Sequence, residues 1–228
     1  MSRQIVLDTE TTGLEPSKGH RIVEIGCIEI INRQITERYF HHYLNPERAI
    51  EAGAQMVHGI TDDLLKDKPK FSEIIDELLA FIKDAEVIIH NAPFDVGFLN
   101  HELKLSKRKL GVITDYCRVT DTLAMAREMH PGQRNNLDAL CKRYGVDNSN
   151  RDLHGGLLDA ELLALTYLAM TSGQDSLFAE LEVNDKPTAA ETRVTTSVNN
   201  ALPVLAANAE ELTAHSDIMQ RLVKADLW

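Results

Sequence analysis

Ile5, Val6 and Leu7 form an unbroken apolar run that ends in Asp8, Thr9 and Glu10. Such a run suits a central strand buried on both faces. Side chains alternate along a strand, so Asp8 and Glu10 leave its end on the same side. Two anions this close at the rim of a core are costly unless a cation offsets them. Mg2+ or Mn2+ is the natural cation for oxygen donors. Taken alone, Leu7-Asp8-Thr9-Glu10-Thr11-Thr12-Gly13 also fits a strand that simply runs into a polar turn, and both readings stand.

The rest of the chain alternates in a way that suits one α/β domain. Residues 22–31 and 35–44 read as two strands, with a tight turn at Asn32-Arg33. Apolar positions at 74, 75, 78, 79 and 82 have helical spacing over 72–84, behind Ser72 as a candidate cap. Val87-Ile88-Ile89 is a short buried strand. Pro93 then opens a helix with Phe94, Phe98 and Leu99 on its apolar side. A fifth strand is expected over 117–120, with Asp121 capping the next helix. Another helix carries Leu137, Leu140, Cys141 and Tyr144 and stops at Gly145. A strongly apolar helix is expected over 155–171, with the domain ending near 173. Residues 183–208 read as a flexible linker containing Pro187 and Pro203. The last segment, 209–228, has an apolar stripe through Leu212, Ile218, Met219, Leu222 and Val223, and is too short to fold alone.

Composition narrows the function. The net charge is −11, although nonspecific nucleic-acid binding rests on Lys and Arg neutralising phosphates. A chain this acidic holds DNA weakly unless something else delivers it. Cys27, Cys117 and Cys141 lie far apart with no CxxC pair, which points to reduced thiols rather than zinc or disulfides. No leader-like stretch opens the sequence and no apolar run reaches membrane-spanning length, so the cytoplasm is the expected location.

Two further segments carry candidate chemistry. In His90-Asn91-Ala92-Pro93-Phe94-Asp95, Asp95 falls in the first turn of a helix, where the dipole alone would favour it. In His154-Gly155-Gly156-Leu157-Leu158-Asp159, His154 sits just before a helix, roughly one turn from Asp159, and both can face one cleft. A surface histidine and a helix-start carboxylate are the plain alternatives.

The three segments in this order, over roughly residues 4–172, resemble the DEDDh exonuclease family. Gly13, Asn91 and the His-x4-Asp spacing agree with it, and a histidine at that spacing marks the h branch. The interval Thr114–Arg143 and the plan of domain, linker and tail resemble the proofreading subunits of bacterial replicative polymerases. The resemblance implies a ribonuclease H-like fold, a mixed five-stranded sheet with flanking helices, followed by a linker and a short C-terminal helical segment. It implies hydrolysis of the last phosphodiester at a DNA 3′ end, using two divalent ions, Mg2+ or Mn2+, and releasing nucleoside 5′-monophosphates. Asp8 would bridge both ions, Glu10, Asp95 and Asp159 would hold them directly or through water, and His154 would be general base.

The same resemblance implies that Thr9, Glu10, Thr11, Leu14, His58 and Phe94 line the pocket for the terminal nucleotide. For Phe94 and His58 the competing readings are a core aromatic and a surface loop histidine. Gln174, Leu177 and Phe178 resemble a docking motif for the sliding clamp within a 174–208 connector. Residues 209–228, with Ile218, Met219, Leu222 and Trp228, resemble the segment that binds the polymerase (alpha) subunit, as a helix in a groove. A small stabilising subunit is an optional further partner in that group. Two rivals remain: an enzyme that trims RNA or short oligonucleotides, and a noncatalytic scaffold between polymerase and clamp.

Overall fold

The computed structural model describes residues 3–151 and 153–182, with side chains up to Ser172. Its centre is a five-stranded mixed sheet in the order β3-β2-β1-β4-β5. The strands are β1 (Arg3–Thr11), β2 (Ile22–Ile31), β3 (Gln34–Tyr43), β4 (Glu86–Ile89) and β5 (Arg118–Asp121). β1 pairs antiparallel with β2 and parallel with β4; β2–β3 is antiparallel and β4–β5 parallel. The fold is ribonuclease H-like, as expected.

Seven α-helices lie among the described residues: α1 (Ala52–His58), α2 (Asp62–Leu65), α3 (Phe71–Ile82), α4 (Ala92–Leu105), α5 (Thr122–Met129), α6 (Leu137–Tyr144) and α7 (Gly156–Glu182). The alternation of β1 sorts them into two layers. Ile5 and Leu7 face a core with Phe71, Leu78 and Phe98 from α3 and α4. Val6 faces the other way, with Leu137, Cys141, Leu163 and Tyr167 from α6 and α7. Each large side chain fully buried in these layers stabilises the fold by about 1.5–3 kcal/mol. The three cysteines are buried free thiols.

Several ends differ from the sequence reading. Ser72 does not cap α3. Lys70 precedes the helix, and the Glu73 carboxylate reaches back to accept from the Lys70 N–H at 2.6 Å. A carboxylate can reach one turn back, so the helix starts earlier than the serine suggests. Asp121 caps α5 as expected, accepting from the N–H of Leu123 and Ala124. α7 runs past 171 to Glu182, so Gln174, Leu177 and Phe178 fall on helical backbone. Gly173 costs a helix only about 1 kcal/mol relative to Ala, and good helix formers follow it. The side chains of these three, and all of Ile218, Met219, Leu222 and Trp228, lie outside the described residues. Among the described residues, no helix is long and apolar enough to cross a membrane.

Candidate active site

The site forms where β1 ends between the two helical layers. Asp8 and Glu10 continue the row of Val6, towards α7. Their register partners on β2 are Gly26 and Glu24. Gly26 has a specific reason to lack a side chain: a Cβ there would lie 2.3 Å from the Leu157 N. A Cβ on Gly156 would likewise come within 3.2 Å of both the Asp8 carbonyl and the Gly26 N. The backbones of β2 and α7 therefore touch directly, and this seam sets Asp159, one turn along α7, above the β1 carboxylates.

Asp95 arrives from the opposite layer. Asn91 leads into α4 with φ 63° and ψ 50°, a left-handed conformation that Asn tolerates better than most residues. Its N–H donates to Asp121 Oδ1 at 3.1 Å. The first turn of α4 then places Asp95 beside β1, where the Thr9 N–H and hydroxyl both donate to its Oδ1, at 3.1 and 2.7 Å. His154 lies in the loop before α7, and its N–H donates to the Val57 carbonyl at 3.1 Å, which ties the loop to α1.

Asp8, Glu10, Asp95, His154 and Asp159 all line one cleft of about 480 Å3. Thr9, Glu10, Thr11, Leu14, His58 and Phe94 all line an adjoining pocket of about 410 Å3 that shares Thr9, Glu10, Leu14 and Phe94 with the cleft. His58 is not the loop histidine of the plainer reading. It ends α1, is 5% exposed, and accepts from the Ile60 N–H through Nδ1 while Nε2 faces the Thr11 carbonyl. Phe94 is half-buried against Phe98 at 4.9 Å, with its remaining face on the pocket. Leu14 stands 78% exposed at the rim.

The electrostatics are those of a site with more negative than positive charge. Burial, with Asp95, Glu10 and Asp159 nearby, pushes the Asp8 carboxyl well above its ordinary range. Burial and the charges of Asp159, Glu24 and Asp95 push Glu10 up to about 8. Burial pushes Asp95 up to about 7 against the opposing Thr9 hydrogen bonds. Glu24 is 2% exposed. Its Oε1 faces His41 Nε2 at 2.8 Å, and its Oε2 has no partner. Asp159 is the exception: burial works to raise it, but the neighbouring His154 and Arg151 hold it below its ordinary value.

Ligand atoms of Glu10, His154 and Asp159 lie within 4.8 Å of one another. Clustered carboxylates, with Asp8, Glu10 and Asp95 disfavoured in their charged forms, fit a divalent cation.

Arg151 escaped the sequence reading. Its Nε and Nη2 donate to Asp159 Oδ1 and Oδ2 at 2.5 and 2.6 Å. Its Nη1 donates to Asp138 Oδ1 at 2.6 Å and Nη2 to His154 Nδ1 at 3.0 Å. The only signal was an arginine three residues before His154, which no local pattern distinguishes from a surface charge.

The exonuclease family RNase_T matches residues 5–167. Across the whole chain, the sequence is 48% identical to the DNA polymerase III subunit epsilon of Salmonella typhimurium, covering 98% of that protein. The chain belongs to the epsilon-subunit group of the exonuclease family. Solved structures agree on the fold. Exonuclease X in complex with 5′ overhanging duplex DNA superposes with a TM-score of 0.60 at 24% identity, over 75% of this chain and 93% of that one. Exonuclease I gives 0.67 at 16% identity, over 80% of this chain and 44% of its own. In this exonuclease, the carboxylate cleft and its adjoining pocket both lie inside the span that the family covers.

Proposed function

We propose that this exonuclease removes nucleotides from DNA 3′ ends in the 3′→5′ direction, as the proofreading activity of a replicative DNA polymerase, releasing nucleoside 5′-monophosphates. The observation that carries the reading is the convergence of Asp8, Glu10, Asp95, His154 and Asp159 in one cleft beside a pocket of small-ligand size. Asp8, Glu10, Asp95 and Asp159 would hold two divalent ions, Mg2+ or Mn2+. When bound, these would supply charge stabilisation at the scissile phosphate and at the leaving 3′ oxygen, and a more acidic attacking water.

The chain's own residues do the rest. Phe94 and Leu14 offer apolar faces to the terminal base and sugar. The Thr9–Thr11 backbone and His58 bound the other side of that pocket. His154, 45% exposed on its side chain, opens to solvent and takes the proton of the attacking water. Thr9 fixes Asp95 through two bonds to one oxygen, so that carboxylate cannot swing.

Net charge −11 argues that DNA is delivered rather than captured. Full-length similarity to a polymerase III epsilon subunit supports the polymerase (alpha) subunit as the partner of residues 209–228. The sliding clamp would take Gln174, Leu177 and Phe178. A linker then raises the local concentration of the site near a frayed end.

The test uses 5′-labelled primers, paired or mispaired at the 3′ terminus, with Mg2+, Mn2+ or EDTA, and an RNA copy beside them. Metal-dependent stepwise shortening of DNA, faster at the mispair, is expected. Preferential shortening of RNA would keep the chemistry and discard proofreading. No shortening with either metal, by a folded protein that binds polymerase, would leave only a scaffold.

A further inference from the structure

Arg151 sits where a cation is most needed. Among the described residues, its guanidinium is the one positive group bonded to Asp159 by a two-pronged fork, and its side chain is only 6% exposed. Charge-assisted fork pairs of this kind are among the strongest polar contacts a protein makes. Both Asp159 oxygens are engaged, so a metal ion approaching them meets a positive charge already at hydrogen-bond distance.

The same group also governs His154. Arginine donates and never accepts. The 3.0 Å contact from Nη2 therefore makes His154 Nδ1 the acceptor, and the neutral ring must carry its proton on Nε2. With Nδ1 taken and Nε2 protonated, neither nitrogen can accept a proton from water. The 3.3 Å approach of Nδ1 to Asp159 Oδ2 is then not a hydrogen bond, because both atoms are acceptors. Asp138 holds the far side of the guanidinium through Nη1, is half-exposed, and is outside the catalytic set.

We propose that Arg151 is a resident counter-cation that occupies the ion site in the metal-free enzyme, holding Asp159 and His154 idle until divalent metal displaces it onto Asp138. The inference rests on the two-metal reading above. It makes Arg151 a competitor of the metal and not a lasting support for its ligand, and these two roles predict opposite changes in metal affinity.

Calorimetric titration of the full chain with Mn2+ decides between them, without any turnover being measured. Arg151→Gln should bind Mn2+ at least about tenfold more tightly than wild type, the equivalent of about 1.4 kcal/mol. In EDTA it should also melt lower than wild type, because buried Asp159 loses its partner, and Mn2+ should raise its Tm by more. Equal or weaker Mn2+ binding by Arg151→Gln would overturn the proposal and leave the two-metal reading intact. Should Arg151→Gln fail to fold, Arg151→Lys answers the same question. An ammonium cannot grip both Asp159 oxygens and Asp138 together, so Mn2+ affinity should rise by a smaller factor, and unchanged or weaker binding counts against the idea. If wild type itself binds no Mn2+, both this inference and the two-metal reading fall.

Discussion

Thr9 donates twice to the same atom, Asp95 Oδ1, once from its backbone N–H and once from its hydroxyl. The strand that carries Asp8 and Glu10 thereby positions the carboxylate from the opposite helical layer. Thr9→Val keeps the shape and the backbone bond but removes the hydroxyl bond, worth about 0.5–1.5 kcal/mol net. We expect kcat for primer shortening to fall about tenfold with little change in KM, and Thr9→Ser to restore it. A normal kcat in the valine variant would show that Asp95 does not need the second bond.

Asp8→Ala and Asp159→Ala should each abolish shortening while circular dichroism and gel filtration stay normal. Asp8 is a buried carboxyl crowded by other carboxyls and disfavoured in its charged form, so its removal should raise the Tm in EDTA, whereas Asp159→Ala strands Arg151 and should lower it. Near-normal turnover in either variant would refute the ligand assignment.

Stability without metal should depend on pH through Glu10 and Asp95. Their folded-state values are raised, to about 8 and about 7. Between the unfolded and folded values the native state binds more protons than the unfolded chain, so stability is greatest at the acid side and falls as pH rises. In EDTA, the Tm contribution of these groups should decline from about pH 4 to about pH 8. Glu10→Gln should flatten that decline; a slope equal to wild type would mean that Glu10 is not held protonated.

Much of this was legible in the sequence because it is local. The apolar run into Asp8, the Asn91-to-Asp95 turn and the His154-to-Asp159 spacing each record one element's own geometry. What was missed depends on partners distant in the chain or on backbone contact. Arg151 is marked only by Asp159 and Asp138, which folding brings to it. The seam of Gly26 and Gly156 joins residues far apart in sequence, and a strand glycine looks like a weak spot until the helix above it is seen. The helix α1 was not anticipated, because it is short and leaves Met56 and Val57 exposed, so a surface loop stood as the competing reading for His58. Ser72 misled because a carboxylate one residue later does the capping.

Leu14 and Phe94 separate binding from folding. Leu14→Ala removes a side chain that is 78% exposed and should leave Tm unchanged. If the terminal nucleotide covers it, KM should rise about tenfold with a smaller effect on kcat. Phe94→Ala should do the same and also lower the Tm, since its ring packs on Phe98. Unchanged KM in both variants would move the nucleotide elsewhere.

Gly26→Ala should part the seam. The new methyl meets backbone and not a yielding side chain, so α7 must shift. Overpacking of this kind costs about 1–3 kcal/mol, and moving Asp159 relative to Asp8 should reduce turnover by about a hundredfold. Thermal melting and primer shortening, measured on the same preparation, check both.

Because main chain meets main chain at Gly26 and Gly156, the spacing between the backbones that carry two of the carboxylates is set by direct contact rather than by intervening side chains. Lesions in the layers around α3, α4 and α6 would reveal themselves as scarce protein. A lesion at the seam would cost the molecule cutting power out of proportion to the stability it loses, because it displaces one carboxylate against another.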